Sequence, residues 1–355
     1  MGRMLRADLD SLPTYVPGRT ILGTVKLASN EVSAGPLPSV VAAIADAAAG
    51  VNRYPDNGMT ALVERLATRL DVAPSQVAVG CGSVSLCQQL VQATCGPGDE
   101  VLFAWRSFEE YPRLTQVVGA RPRMVALRPD HSHDLLAMLE AITPATRLVF
   151  VCSPNNPTGT AVRRDELVTF LDAVPDGVLV ALDEAYHEFV TDPDVPDGVE
   201  LGRRRDNLAV LRTFSKAYGL AGLRVGYCVA PEPITAALRK MFVTFSVNSL
   251  AQVAALASLD VADELLARCR GITAERARVR GELLEMGYPV ADSQANFLWL
   301  PLGEQTTAFT EHCLDHKIVI RPFLGEGARV TISEADENGA FLAAARSFPR
   351  ERPDQ

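Results

Sequence analysis

One lysine in a segment of small and apolar residues is the strongest candidate for chemistry in this chain of 355 residues. Lys216 follows a candidate buried strand, with the hydroxyls of Thr213 and Ser215 before it and Arg224 eight residues after it. A buried lysine is costly unless it is neutralised or covalently engaged, and a Schiff base to an aldehyde cofactor does both. Ser215 and Arg224 suit a phosphate group on that cofactor. A strand-to-loop junction whose lysine reaches solvent explains this segment equally well when it is taken alone.

Two further strands are followed directly by polar side chains. Asn156 lies in a turn, residues 153–159, which two prolines and a glycine make rigid, and its amide can donate to a phenolate oxygen. Asp183 ends an apolar run, so its carboxylate needs a positive or donor partner, such as a protonated pyridine nitrogen. Tyr186 can reach the same ring. Each also has an ordinary explanation, a strand-ending turn for Asn156 and a helix N-cap for Asp183.

A turn of small residues, 80–85, opens a candidate helix earlier in the chain. Backbone N–H groups at Gly82 and Ser83 can approach a phosphate there, and the helix dipole favours the anion. The turn lacks the third glycine of a dinucleotide-binding fingerprint, which disfavours NAD. This signal is weak by itself.

The elements that must position these residues alternate between strands and helices. Most of the candidate strands are apolar throughout, as is typical of strands covered on both faces. The alternation predicts an α/β fold around a mostly parallel, seven-stranded sheet. The candidate strands are residues 77–80, 100–105, 123–127, 147–152, 178–183, 208–214 and 225–230.

The pattern changes after residue 247. One long helical stretch, residues 249–286, is followed by short strands at 296–300, 318–321 and 328–332. We therefore expect a large domain over residues 31–247 and a smaller α+β C-terminal domain over 248–355. Residues 1–30 show little periodicity and are predicted to form an N-terminal arm.

Composition excludes several classes of function. A net charge of −9 and the lack of a long basic run argue against a nucleic-acid partner. No apolar run of membrane-spanning length occurs, so we expect no membrane association. Seven unpatterned cysteines are typical of thiols in a reducing cytoplasm. His312 and His316 have helical spacing but no patterned acidic or cysteine partner, so we expect a solvated face and no metal site.

The four motifs occur in chain order, each at the carboxyl end of a candidate strand. Jointly, the sequences Asn-Pro-Thr-Gly, Asp-Glu-Ala-Tyr and Ser-Lys-x-x-Gly-Leu-x-Gly-x-Arg are very specific. The chain resembles the fold-type I, pyridoxal 5′-phosphate (PLP)-dependent aminotransferases of class I/II, and most of all the histidinol-phosphate aminotransferase family. The resemblance runs from residues 12–18 to residues 329–332.

The resemblance implies a role for each matching residue around PLP. Lys216 would bind the cofactor covalently and move a proton between substrate carbon and cofactor. Asp183 would keep the pyridine nitrogen protonated, while Asn156 and Tyr186 would bind the ring hydroxyl oxygen. Phe108 matches the aromatic residue that stacks on the ring. The phosphate would be held by Gly82, Ser83, Thr213, Ser215 and Arg224.

The resemblance also implies a homodimer with shared active sites. Tyr54 matches a residue that reaches the phosphate in the partner subunit's site. Arg329 matches the arginine that clamps the substrate carboxylate, and Arg321 is a second cation in that region. Tyr15 and Asn30 fall in segments expected to bind substrate.

Two amino donors with flat rings are candidates for the substrate, an aromatic amino acid and histidinol phosphate. A donor carrying a phosphate needs cations at its binding site, whereas an amino-acid carboxylate needs one good arginine. The segments 28–31, 81–85 and 105–109 resemble the aromatic, phenylalanine-type branch of the family. We therefore expect transamination between an aromatic amino acid (Phe, Tyr or Trp) and 2-oxoglutarate, with histidinol-phosphate transamination as the alternative. A PLP lyase or decarboxylase would share the cofactor residues, but Arg329 favours transamination. Intact Lys216 and Asp183 argue against a non-catalytic PLP-binding protein.

Overall fold

A computed structural model describes residues 10, 12, 14 and 18–349 of the chain. Tyr15 therefore lies outside the described residues. The strands formed within the described part are β1 (Val25–Leu27), β2 (Val77–Gly80), β3 (Glu100–Trp105), β4 (Arg121–Ala126), β5 (Thr146–Cys152), β6 (Leu179–Asp183), β7 (Leu208–Thr213), β8 (Gly226–Val229), β9 (Phe297–Leu300), β10 (Ile318–Phe323) and β11 (Gly327–Thr331).

Seven of these strands form one sheet in the order β2-β8-β7-β6-β5-β3-β4. β8 runs antiparallel to both of its neighbours, and the remaining pairs are parallel. The predicted α/β class with a mostly parallel, seven-stranded sheet is confirmed. The register sets Cys152 beside Asp183, and Asp183 beside Leu211, so the carboxyl ends of β5, β6 and β7 lie at one edge.

Helices cover both faces of this sheet. Successive strand residues point to opposite faces, so Val149 and Val180 pack on one side and Phe150 and Ala181 on the other. This two-sided burial is why the strands are apolar throughout. The helices of the described residues are α1 (Pro38–Ala48), α2 (Thr60–Leu70), α3 (Gly82–Thr94), α4 (Glu110–Val117), α5 (Leu135–Glu140), α6 (Arg164–Ala173), α7 (Gly198–Gly202), α8 (Glu232–Met241), α9 (Ser249–Asp260), α10 (Ala262–Glu285), α11 (Thr306–Asp315) and α12 (Ala335–Ser347).

The other four strands form a second sheet in the order β1-β10-β11-β9. α10, α11 and α12 contribute residues to its core, which is separate from those of the large sheet. β1 falls within the predicted arm and pairs in parallel with β10, Val25 lying beside Ile318. Three residues are too few to show a periodicity, so the sequence alone did not indicate this strand.

The single helix predicted over residues 249–286 is wrong, because the chain forms two helices there. The backbone leaves helical geometry at Val261 (φ −114°, ψ 25°), between α9 and α10. α9 packs against α1 and α2, and its buried residues belong to a core shared with the large sheet. The domain bounds at residues 30/31 and 247/248 remain predictions.

The structure also bears on membrane association. Within the residues it describes, no helix combines the length and the apolar character needed to span a membrane.

Candidate active site

A cavity of about 200 Å³ opens where the carboxyl edge of the large sheet faces β10 and β11. Residues after β3, β5, β6 and β7 contribute to its wall, as expected for open α/β sheets. Two predicted residues, Gly82 and Tyr54, are not part of the wall. The predicted site residues that line it are Asn30, Ser83, Phe108, Asn156, Asp183, Tyr186, Thr213, Ser215, Lys216, Arg224, Arg321 and Arg329.

Lys216 lies in the loop after β7, and its amine points into the cavity wall. Nζ donates to the backbone oxygen of Ser29 at 3.3 Å and lies 5.7 Å from the centre of the Tyr186 ring. Burial, reinforced by the positive charge of Arg329, lowers the pKa of Lys216 from 10.5 to about 7. A large fraction of the side chain is therefore the neutral, nucleophilic amine near neutral pH.

Asp183 is the last residue of β6 and is buried. Burial raises the pKa of its carboxyl to about 6, while hydrogen bonds oppose this rise. The strongest of them comes from Tyr111, whose hydroxyl donates to Oδ2 at 2.8 Å. The Tyr111 ring stacks on Phe150 with centroids 4.3 Å apart, which fixes the hydroxyl in place. Sequence reasoning missed Tyr111, although its position one helical turn after Phe108 was a usable signal.

Two hydrogen-bonded pairs lie in the cavity wall, Arg329 with Asn156 and Asn30 with Tyr186. Arg329 Nη1 donates to Asn156 Oδ1 at 2.6 Å, and Nη2 donates to the Ala28 oxygen at 2.7 Å. Asn30 Nδ2 donates to the Tyr186 hydroxyl at 2.9 Å. The side-chain oxygen of Asn156 accepts a hydrogen bond from Arg329. Asn156 would therefore bind a ligand as a hydrogen-bond donor, through its Nδ2.

One end of the cavity is suited to an anion. α3 begins at Gly82, so the N–H groups of its first turn face this end. Arg224 Nη1 donates to Ser215 Oγ at 3.2 Å, and Ser215 N donates to Thr213 Oγ1 at 3.1 Å. Gly82 has φ +73°, and a β-carbon there would lie 2.3 Å from Arg224 Nη2. A glycine is therefore required for Arg224 to reach the helix N-terminus.

Phe108 and Arg321 complete the wall on the opposite side. The Phe108 ring lies edge-on to Tyr111, with centroids 5.5 Å apart. Arg321, on β10, donates from Nη2 to Glu109 Oε2 at 2.9 Å. Glu109 also lines the cavity, and sequence reasoning had not selected it as a site residue.

Tyr54 lies outside this chain's cavity. It is 82% exposed, and its ring stacks on Phe245 with centroids 4.5 Å apart. The structure thus separates Tyr54 from the other predicted site residues of the same chain.

The cavity joins three chemical functions. A depressed-pKa amine can attack an aldehyde, a buried carboxylate can hold a protonated ring nitrogen, and the α3 turn with Arg224 can bind a phosphate. The profile of the family described as aminotransferase class I and II matches residues 23–343. The chain belongs to this family.

Relatives named aromatic amino acid aminotransferase match nearly the whole chain. A protein named aromatic amino acid aminotransferase from Rhodococcus jostii (strain RHA1) is 59% identical over 342 residues, 96% of this chain and 95% of that protein. One of the same name from Streptomyces coelicolor (strain ATCC BAA-471 / A3(2) / M145) is 55% identical over 351 residues, 98% of each.

A solved structure shares the fold of this aminotransferase. Histidinol-phosphate aminotransferase from Sinorhizobium meliloti, in complex with pyridoxal-5′-phosphate, superposes with a TM-score of 0.89 at 29% identity. The superposition covers 98% of this chain and 97% of the other.

Proposed function

We propose that this class I and II aminotransferase uses PLP to transfer the amino group of Phe, Tyr or Trp to 2-oxoglutarate. The observation that carries the proposal is the 59% identity, over 96% of the chain, to a protein named aromatic amino acid aminotransferase. The amine, carboxylate and anion site described above have the donor and acceptor groups that PLP requires, which supports the cofactor.

Lys216 and Asp183 would have the two main catalytic roles. PLP, when bound, supplies a protonated aromatic ring that withdraws electrons from the substrate α-carbon. Lys216 would hold the cofactor until the amino group of the substrate replaces it, and the released, neutral amine would then take the proton from the α-carbon. Asp183 would hold the proton on the ring nitrogen, and Tyr111 would keep the carboxylate ionised and aligned.

The remaining cavity residues would orient cofactor and substrate. Asn156 and Tyr186 would bind the ring hydroxyl oxygen, and Phe108 would stack on the ring. Arg329 would bind the substrate carboxylate with its planar guanidinium group. An arginine that holds the substrate carboxylate in one orientation would favour proton removal over decarboxylation. Asn30 would line the substrate side, and the phosphate would be held by Gly82, Ser83, Thr213, Ser215 and Arg224.

The proposal is tested by following both products of one exchange. With PLP, phenylalanine and 2-oxoglutarate, we expect equal amounts of phenylpyruvate and glutamate, measured by chromatography. The Lys216→Ala variant should form neither product. A much higher kcat/KM for L-histidinol phosphate than for phenylalanine, tyrosine and tryptophan would favour the alternative function instead. Release of carbon dioxide in place of glutamate would indicate a decarboxylase.

We further propose a homodimer whose active sites are shared between subunits. Tyr54 supports this arrangement, because a largely exposed aromatic residue stacked on Phe245 is a typical interface feature. Tyr54 would reach the phosphate in the partner's site. The seven free cysteines support a reducing, cytoplasmic location.

A further inference from the structure

Asn30 connects the small sheet with Tyr186 at the wall of the cavity. Its Nδ2 donates to the Tyr186 hydroxyl at 2.9 Å, and its Oδ1 accepts from Thr331 Oγ1 at 3.1 Å. All three residues are buried, with no more than 3% of any of them exposed. Solvent therefore competes little for these hydrogen bonds, and each donor and acceptor depends on the partner that the fold provides.

The small sheet also holds the backbone of Asn30. The Asn30 N–H donates to Thr331 Oγ1 at 2.9 Å, and the carbonyl oxygen accepts from Asn296 Nδ2 at 3.2 Å. Asn30 has φ +54°, which asparagine adopts more readily than most residues with a side chain. These contacts fix the position of the Asn30 backbone, and therefore the direction in which the side chain leaves it.

Thr331 determines which end of the Asn30 amide faces Tyr186. The Thr331 hydroxyl oxygen accepts from the Asn30 N–H and keeps its own proton to donate. Among the residues that the structure describes, Asn30 Oδ1 is the acceptor within reach of that proton. The opposite orientation of the amide would place its NH2 group against the hydroxyl and deprive the buried proton of this acceptor. The amide nitrogen therefore faces Tyr186.

This orientation of the amide determines what the Tyr186 hydroxyl can do. A phenol oxygen that accepts a hydrogen bond from Asn30 keeps one proton to donate, and none of the residues that the structure describes accepts it. Burial raises the pKa of Tyr186 above its usual value of 10, so the proton stays on the oxygen. The Tyr186 ring is held edge-on to Phe297, with centroids 5.0 Å apart. The hydroxyl is thus prepared to donate to an acceptor inside the cavity.

We propose that Asn30 is a positioning residue that orients the Tyr186 hydroxyl as a hydrogen-bond donor to the ring oxygen of PLP. Thr331 orients Asn30 in turn, so the small sheet acts on the cofactor site through two side chains. This inference rests on the proposed function, in which Tyr186 binds that oxygen. A donor draws charge from the oxygen, which then holds a proton on the neighbouring Lys216 Nζ less firmly. Asn30 thereby lowers the pH at which Nζ releases that proton.

The Asn30→Gly variant tests the assignment, because glycine tolerates the positive φ and removes only the side chain. The visible absorbance of the PLP-loaded protein changes when Lys216 Nζ releases its proton, so a pH titration gives the midpoint without turnover. We expect the midpoint to rise by about half a pH unit in Asn30→Gly and by about one unit in Tyr186→Phe. The matched control is Lys317→Gly, since Lys317 also has a positive φ, +62°, and does not line the cavity. The control should keep the midpoint of the wild type.

The double variant Asn30→Gly/Tyr186→Phe separates an effect through Tyr186 from a direct one. Its midpoint should equal that of Tyr186→Phe, since Asn30 has no hydroxyl to orient once the phenol is removed. A further rise in the double variant would show that Asn30 acts on the cofactor directly and would overturn the proposal. An unchanged midpoint in Asn30→Gly would overturn it as well.

Two substitutions of Thr331 test the orientation of the amide. Thr331→Ser keeps the hydroxyl, whereas Thr331→Val keeps the shape of the side chain and removes the hydroxyl. We expect the midpoint of Thr331→Ser to equal that of the wild type, and that of Thr331→Val to rise by about half a pH unit, as in Asn30→Gly. An equal rise in both variants would indicate that packing positions Asn30 and would refute the role of the Thr331 hydroxyl.

These titrations separate the inference from the function on which it rests. A midpoint that Tyr186→Phe leaves unchanged would refute the proposed contact of Tyr186 with the ring oxygen, and the inference with it. If Tyr186→Phe raises the midpoint and Asn30→Gly does not, only the role of Asn30 is refuted. The titrations need bound PLP but no amino donor, so their result does not depend on whether the enzyme prefers aromatic amino acids or histidinol phosphate.

Discussion

The reactivity of Lys216 depends on its surroundings more than on its residue type. Burial and the nearby Arg329 disfavour the ammonium form and lower its pKa from 10.5 to about 7. Because the pKa is lowered, the neutral amine predominates above about pH 7, not only above pH 10.5. The pKa of Asp183 shifts in the opposite direction, because burial raises it to about 6. The two groups are thus ionised differently from their exposed counterparts.

A pH dependence of cofactor capture follows from the pKa of Lys216. The rate at which apoprotein captures PLP should rise about tenfold per pH unit below pH 7 and level off above it. Stopped-flow absorbance of the lysine-bound cofactor measures this rate. A small-molecule primary amine in the same buffers corrects for the titration of PLP itself, and Lys216→Ala should give no signal. A rate that keeps rising toward the pKa of an ordinary lysine would contradict the expectation.

At the scale of elements, the anion site depends on how one helix begins. α3 starts at Gly82, whose φ of +73° is strained for any residue with a β-carbon. Arg224 occupies the space where that β-carbon would lie, and a β-carbon at Gly226 of β8 would lie 2.6 Å from the backbone nitrogen of Ser83. The antiparallel strand β8 therefore brings Arg224 to the start of α3. The anion site needs both the helix start and this arginine, and neither would form it alone.

Substitution of Gly82 tests this arrangement. Gly82→Ala should cost about 1–2 kcal/mol in the free energy of unfolding, because alanine disfavours positive φ. It should also weaken PLP binding about tenfold or more, since a displaced Arg224 loses charge-assisted hydrogen bonds to the phosphate. Thermal unfolding of the apoprotein and equilibrium titration with PLP separate the two effects.

Gly271→Ala is the matched control for this substitution. Gly271 lies within α10, and nothing lies within 4 Å of where its β-carbon would be. Alanine there should stabilise the helix by about 0.5–1 kcal/mol and leave PLP affinity unchanged. If Gly82→Ala binds PLP as tightly as this control, the phosphate does not depend on the α3 turn.

At the scale of the whole molecule, the proposed dimer would combine residues that one chain keeps apart. Tyr54 is exposed and does not line its own cavity, while Lys216 lies inside it. If active sites are shared, each site uses Lys216 from one subunit and Tyr54 from the other.

Complementation between two variants tests this sharing. Lys216→Ala should be inactive, and Tyr54→Ala should be impaired through loss of a phosphate contact. Mixing the two under conditions of subunit exchange creates heterodimers with one site that carries both native residues. We expect the kcat of the mixture to exceed the mean of the separate variants, with size-exclusion light scattering confirming the dimer. Activity equal to that mean in a verified heterodimer would contradict shared sites.

The fold was largely predictable from the sequence, for a reason visible in particular strands. β2 and β3 were predicted with their observed bounds, because continuous apolar runs mark strands covered on both faces. β1 was missed, since its pairing with β10 joins residues nearly 300 positions apart and leaves almost no local pattern. The break at Val261 was missed because the helical pattern continues through it, while the packing of α9 against α1 is a tertiary contact that no local pattern shows.

The sequence by itself determined the chemical groups of the site and the order in which they occur. Lys216, Asp183 and Asn156 each follow a strand, and parallel strands bring their carboxyl ends together. Only the tertiary structure decided which residues these and the other site side chains contact. Tyr111 donates a hydrogen bond to Asp183, 72 positions away in the sequence, and Arg321 donates one to Glu109, 212 positions away. Those contacts arise from strand order and from packing between the two sheets. No local periodicity encodes them, yet they determine the charge that each side chain presents to a substrate.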